Sequence, residues 1–388
     1  MTSVSDVISA AGELAADWKE RRTERQARRH LEQADFDALA DAGFLHLIVP
    51  EDTGGLWQSA ARSLRGVCET LRTLATADPS VALVASMHPA VVGFWVALED
   101  PGQPAWNEQR QGVFASALTG GQWGTITSEP GSGGDIGRTR AVAAADESVE
   151  VPFPGRTYRI TGDKHFGSGS GVTSFMITTA LPDDDSGPAI FAFDGRDRPW
   201  DGSAGLQLVA EWDGAGMAAT QSHAMRLVDC PAVRFAWDGP IEDVTLAAAP
   251  LITGMFTAVV LGVLDEAVAT ARRQLGPKAD SLRAYERVEW ARAEMDHWLA
   301  VQAYEGALRA VEAGDHLRAS YAGIRAKEAV AELAESCLQR LTRVIGGGTF
   351  ARRSPFSAWF EDVRALGFLR PPWGLAYDSL FLSSFLEP

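Results

Sequence analysis

Two segments of the chain collect hydroxyls, glycines and backbone amides at a spacing suited to gripping a flat polar ring. One is the loop Thr127-Ser128-Glu129-Pro130-Gly131-Ser132-Gly133-Gly134-Asp135, which follows an apolar, strand-like start at Thr125. The other is Gly162-Asp163-Lys164-His165-Phe166-Gly167-Ser168-Gly169-Ser170, within the stretch from Tyr158 to Ala180. β-Branched and aromatic residues interrupted by glycine-containing turns read as antiparallel strands. Two loops held on one sheet could bracket such a ring and hydrogen-bond along its edge. Taken singly, each loop reads equally well as an ordinary β-turn.

Together the loops resemble the middle domain of the acyl-CoA dehydrogenase superfamily. That family carries a Thr-Glu-Pro-Gly-x-Gly-Ser-Asp loop and then a Gly-x-Lys-x-Trp-Ile-Thr-Asn-Gly strand and turn. The resemblance extends to the helical arms through most of the chain. It implies a flavin held by Thr127, Ser128 and Gly133 of the first loop, with Ser128 on the pyrimidine side. It also implies that Phe166 replaces the covering Trp and Ser168 replaces the Thr beside flavin N5. A short hydroxyl there is what a site needs to tune hydride transfer or to steady oxygen on the ring. For an adenosine arm the family uses an Arg after the first long C-terminal helix, which pairs with the pyrophosphate of the neighbouring subunit's FAD, and a Gln-x-x-Gly-Gly turn. The matching residues here are Arg272, with Arg273 beside it, and Arg343, Gly346 and Gly347. Consecutive glycines let a backbone approach phosphate, but they also end a helix. The implied cofactor is FAD, with FMN supplied in reduced form as the alternative.

The superfamily's dehydrogenases need a carboxylate over the substrate α-carbon to remove its proton. At the usual Glu position this chain has Arg370, and at the alternative position it has Ala248, followed by Ala249 where the family has Arg. Glu361 and Asp362 lie nearby but match a structural position. Two readings follow. One is an acyl-CoA or acyl-carrier-protein dehydrogenase with a non-standard base. The other is a group D flavin monooxygenase of the dibenzothiophene monooxygenase kind, which lacks the carboxylate and takes reduced flavin from a separate reductase.

Lys164-His165-Phe166-Gly167-Ser168-Gly169 resembles that branch's Lys-His-Phe-x-Ser-Gly, and His88 fits a His it places at the flavin. The branch's second His falls at Leu369. Oxygenation is the preferred reading, because substrate or water can replace one His whereas a missing base leaves a gap. His88 is then the acid/base candidate, Ser168 stands at the flavin, and Arg370 reaches an anionic or carbonyl group of a small organic substrate. A histidine on so apolar a helix reads equally as a hydrogen-bonded core residue. His165 reads as structural and His223 is undecided. A third reading is a flavin-free binding protein, against which the retained hydroxyls of Ser128 and Ser168 argue.

These residues need a scaffold that brings three regions together. Residues 1–118 read as a helical domain, 119–242 as a β-barrel or sandwich, and 243–388 as a four-helix-type bundle. The class is α+β, in the acyl-CoA dehydrogenase fold. Within the first region, Val81 to Leu98 is almost wholly apolar behind a capping Asp78, which marks a central helix. Leu251–Leu275, Ser281–Ala313 and Ala319–Val344 supply the long C-terminal helices. The resemblance implies a homotetramer or homodimer.

A net charge of −16 argues against a nucleic-acid surface. The one basic run, Lys19 to His30, reads as a solvated helix face. Cys68, Cys230 and Cys337 show no metal-ligand spacing, so no metal is expected, and they fit a reducing, cytoplasmic setting. No apolar run is read as a membrane span. Trp57, Trp95, Trp123 and Trp373 could line an aromatic pocket or serve as core.

Overall fold

Asp78 caps the apolar segment as its composition demands: its carboxylate accepts the Val81 N–H at 3.0 Å, and the helix runs Pro79–Ala97. A helix apolar on every side must be enclosed, and this one is buried almost throughout. The computed structural model describes residues 2–98, 102–184 and 186–385. The helices before the sheet are α1 (Val4–Glu20), α2 (Arg22–Ala27), α3 (Gln33–Asp41), α4 (Ala60–Ala75), α5 (Pro79–Ala97) and α6 (Pro104–Leu118). After the sheet come α7 (Ile241–Leu275), α8 (Ala284–Glu312), α9 (His316–Ile345), α10 (Phe356–Val363) and α11 (Trp373–Ser383). α4, α5, α7, α8 and α9 enclose a helical core, in which α7 packs on α4, α5 and α9.

The strands between them are β1 (Trp123–Thr125), β2 (Val142–Ala145), β3 (Thr157–Gly167), β4 (Phe175–Pro182), β5 (Ala189–Asp194), β6 (Leu206–Ala210) and β7 (His223–Arg234). The pairing order β4-β2-β3-β7-β5 closes on itself, because β4 also pairs with β5. Closure removes exposed edges and encloses a second core around Tyr158, Ile160, Phe191, Phe193 and Leu227. Not every pair is antiparallel as the turns suggested. β1 and β2 both run parallel to β4, since long loops rather than hairpins precede them. The acidic turn after β4 does join an antiparallel pair; its Asp185 lies outside the described residues.

Sheet and helices are joined by an aromatic cluster. The Trp95 ring of α5 lies 4.2 Å from Phe235, 5.2 Å from Trp123 of β1 and 6.1 Å from Trp106 of α6. Trp95 and Trp123 are thus core, not pocket wall.

Two expectations about surface and membrane are corrected. The basic run is not a solvated face: Arg25 is buried against Asp35 and Asp78, while Lys19 and Arg22 pair with Glu266 of α7. These ion pairs tie α1 and α2 to the bundle. Also, α5 and α7 do contain windows long and apolar enough to span a bilayer, but 94% and 78% of those windows are buried inside the protein. They are core helices by packing, which length and composition alone do not reveal.

Gly262 marks the closest approach of α7 to α4. A Cβ there would sit 2.2 Å from the Arg72 carbonyl oxygen. Alanine normally improves a helix by about 1 kcal/mol over glycine. Here Gly262→Ala is expected to destabilise by about 1–3 kcal/mol in urea unfolding, from backbone overpacking. A stabilised variant would mean that the two helices can part freely.

Candidate active site

Strand alternation turns Lys164 of β3 into the barrel, where its side chain is fully buried. Its ammonium donates to Glu129 Oε1 at 2.6 Å and to the Thr179 carbonyl of β4 at 2.6 Å. Glu129 also accepts the Thr139 hydroxyl, the Arg140 N–H at 2.7 Å and the Ala141 N–H at 3.2 Å. Burial pulls the lysine pKa down, and the bond to Glu129 opposes it. Burial would raise the Glu129 carboxyl, but the hydrogen bonds from Lys164, Thr139 and Arg140 outweigh it and hold it below the usual range. The pair is therefore charged, and it pins the first glycine loop to β3 and β4.

The second loop starts where β3 loses register with β7. Between Lys164↔Met225 and Gly167↔His223 the ladder slips, and Phe166 sits at φ +60°. That conformation is costly for a bulky residue and aims the side chain outward. The Phe166 ring is 58% exposed, 6.2 Å from the Trp212 ring. Beside it, the His165 N–H donates to the Ser128 carbonyl at 2.8 Å, so the two loops touch.

Ser168 is 92% buried. Its hydroxyl lies 2.8 Å from that of Ser222, which lies 2.8 Å from that of Thr220. Gly169, at φ +81°, donates its N–H to the Thr220 carbonyl at 2.8 Å.

The third contributor comes from the far end of the chain. Arg370, just before α11, donates to Thr127 Oγ1 at 2.7 Å, to the Gly134 carbonyl at 2.8 Å and, at 3.5 Å, to Ser128 Oγ. Burial lowers its guanidinium pKa to about 10, partly offset by Asp135, so it stays charged at neutral pH. Gly134 has to be glycine: at φ +81° a Cβ would come within 2.8 Å of Pro372. The result is an exposed aromatic ring, a buried hydroxyl, two loop hydroxyls and one cation on a glycine-rich rim.

No protein-family model matches the chain. SfnC of Pseudomonas putida, a probable FMNH2-dependent monooxygenase, is 25% identical over 69% of this chain and 61% of its own length. YdbM of Bacillus subtilis (strain 168), assigned to the acyl-CoA dehydrogenases, is 23% identical over 93% of this chain and 91% of its own. Among solved structures, FMN-bound TdsC of Paenibacillus sp. A11-2 superposes with a TM-score of 0.79. It covers 98% of both chains at 20% identity, a likeness of fold. In sequence and fold the chain is thus similar to FMNH2-dependent monooxygenases and to an acyl-CoA dehydrogenase-like protein, the superfamily its two loops resemble.

Neither position that holds a superfamily base carries a carboxylate. Ala248 is fully buried in α7, and Arg370 is committed to the glycine loop rather than held free for a substrate. Glu361 pairs with Arg364 at 2.6 Å. Asp362 accepts the Met217 N–H at 2.7 Å, and burial, with Asp78 and Glu361 adding, pushes its carboxyl up to about 7.

His88 does not serve as an acid/base group. Its Nδ1 accepts the Trp123 N–H at 3.2 Å and its Nε2–H donates to the Leu45 carbonyl at 3.1 Å, so neither nitrogen is left. Burial lowers its pKa to about 4, which keeps it neutral. It locks α5 to β1. His223 is likewise structural, its Nδ1 accepting the Trp212 N–H at 2.9 Å.

Within the chain, the residues assigned to an adenosine arm make ion pairs and a helix end of their own. Arg272 pairs with Glu294 at 2.6 Å, and Arg343 with Glu289 at 3.3 Å. Gly346, at φ +91°, ends α9 and leads to Gly347 in a 3₁₀ turn. Trp57 lines a separate 440 Å³ cavity near α4 and α7, and Trp373 stacks on Tyr377.

Sequence reasoning missed the Glu129–Lys164 pair and the Ser222–Thr220 chain. A lysine on the inward face of an alternating strand signals a buried partner, and the Thr-x-Ser spacing at Thr220 and Ser222 puts two hydroxyls on one face.

Lys164→Met leaves Glu129 buried without its cation and is expected to cost about 3–5 kcal/mol in urea unfolding. Adding Glu129→Leu should recover much of it; a single-variant loss no larger than that of a surface site would contradict the pairing.

Asp362 holds a proton in the fold that the unfolded chain releases near pH 4. Its contribution to stability is thus full below about pH 4 and is lost as pH rises to about 7. Asp362→Asn should match the parent's unfolding free energy at pH 4 and exceed it at pH 8, by on the order of 2–4 kcal/mol. A pH-independent difference would refute that reading.

Proposed function

We propose that the protein is a two-component flavin monooxygenase, taking FMN reduced by a separate reductase and oxygenating a small organic substrate. The observation that carries this reading is a site in which neither of the superfamily's base positions holds a carboxylate. Arg370 occupies the base position, Ala248 the alternative one, and Glu129 is neutralised by Lys164. No carboxylate stands at either position to take an α-proton from a thioester.

The residues fit a flavin. Ser128, Thr127 and the Gly133 loop offer hydroxyls and a glycine rim for the polar edge of the ring, while Arg370 adds positive charge beside it. Phe166, exposed at a strained φ, would offer an aromatic cover, and the Ser168 hydroxyl, matched to the family's Thr beside N5, would offer a polar contact. When bound, reduced flavin supplies the electrons that activate molecular oxygen. This chain's residues bind and orient the ring and screen it from water.

FMN rather than FAD is favoured because the family's adenosine-arm pattern is not intact around Arg272, and Arg343 stands where the family has Gln. The relatives support the same direction: SfnC is named for FMNH2 dependence, and TdsC has been solved with FMN and indole together. Exposed apolar side chains on α8 (Met295, Trp298) and α11 (Phe381, Leu382) favour a homo-oligomer. The three buried free cysteines suit a cytoplasmic setting.

The test is anaerobic. Protein loaded with oxidised FMN should keep its flavin absorbance when a panel of acyl-CoA thioesters is added, and bleaching by any of them would replace oxygenation by dehydrogenation. With a flavin reductase, NADH and labelled oxygen, thioether, amine or indole-like substrates should gain one labelled atom.

A further inference from the structure

Three hydroxyls behind Phe166 form a closed sequence: Ser168 Oγ to Ser222 Oγ, Ser222 Oγ to Thr220 Oγ1, and Thr220 Oγ1 to the Met217 carbonyl, each 2.8 Å. Two oxygens at that separation need a proton between them; otherwise their lone pairs face each other. The carbonyl brings no proton. Three contacts must therefore be filled by three hydroxyl protons, which permits one arrangement only. Thr220 donates to Met217, Ser222 donates to Thr220, and Ser168 donates to Ser222. All three residues are at least nine-tenths buried, so water does not compete for these contacts. The far end is anchored as well, since the Met217 N–H is held by Asp362 at 2.7 Å. Its one proton spent on Ser222, Ser168 has only lone pairs left for any other partner. It can accept a further hydrogen bond but cannot donate one without breaking the chain.

Resting on the flavin reading above, we infer that Thr220 and Ser222 act through Ser168 to make the site select the reduced over the oxidised ring. Reduced flavin carries a proton on N5 and is a donor; oxidised flavin has a bare N5 and is an acceptor. A Ser168 fixed as acceptor gains a hydrogen bond with the first and opposes lone pairs with the second. Thr220 and Ser222 are positioning residues, and what they position is a proton.

The experiment measures Kd for FMN and for dithionite-reduced FMN under anaerobic conditions, by equilibrium dialysis on the full chain. The parent is expected to bind the reduced form more tightly by roughly threefold to tenfold, the scale of one hydrogen bond. Ser222→Ala removes the acceptor of the Ser168 proton and should shrink that ratio, chiefly by tightening oxidised FMN. Thr220→Val lets Ser222 turn its proton back toward Ser168 and should do the same, giving a second route if one variant folds poorly. Thr220→Ser keeps the hydroxyl and should keep the parent ratio. An unchanged ratio in both Ser222→Ala and Thr220→Val, with both flavin forms still bound, overturns the inference alone. Failure of the parent to bind either form overturns the flavin reading and this inference with it.

Discussion

A lysine ammonium enclosed by a β barrel has to find a counter-charge inside the protein, because water cannot reach it. Lys164 finds Glu129, and this constraint sets the geometry of everything around it. Glu129 can reach the barrel interior only if the chain at Ser128 and Pro130 passes over the end of β3. The first glycine loop is thereby fixed in height above the sheet. The same carboxylate takes the N–H groups of Arg140 and Ala141, which fixes where the loop returns to β2. A buried pair of this sort adds little net stability over an apolar substitute. What it supplies is position, held by five hydrogen bonds that no slipped register could satisfy together.

Position matters because the site is assembled from three distant parts of the chain. Ring closure of the barrel brings the loop after β1 beside the end of β3. The aromatic cluster at Trp95, with the His88 bridge between Leu45 and Trp123, holds that barrel against α5. Arg370 then reaches across from the C-terminal helices to Thr127 and Gly134. The loop hydroxyls thus meet their cation only when the terminal helices have docked. Folding of the last helices and formation of the site are one event in structural terms.

Much of this was legible in the sequence. The glycine loops, the capped apolar helix and the long amphipathic helices carry local signals, although α7 starts at Ile241, ten residues before the Leu251 its pattern suggested. Arg370, expected at the site from its alignment with a base position, does lie there. The contacts it makes were not readable, because they depend on a partner more than two hundred residues away. His88 shows the opposite limit. Its residue type suggests proton transfer, whereas its two partners are a carbonyl and an amide from separate segments, which no spacing rule exposes. The basic run at Lys19 to His30 misled for a related reason. Alternating charge looks like a solvated face until acidic residues from α3, α7 and the start of α5 come to meet it.

The exchange of a carboxylate for Arg370 changes what this fold can stabilise. A free base over the ligand would favour loss of a proton from a carbon acid and build negative charge there. With a cation bound to the glycine loop, negative charge is favoured on whatever the loop holds, at the polar edge of a ring. The buried carboxylate of the loop, Glu129, cannot supply that base, because freeing it would strand Lys164 in the barrel. The loops offer hydroxyls and amides, with the Phe166 face and the Arg370 guanidinium beside them. Such a set holds and polarises a bound ring, leaving the reactive step to the ring and to what it is given to react with.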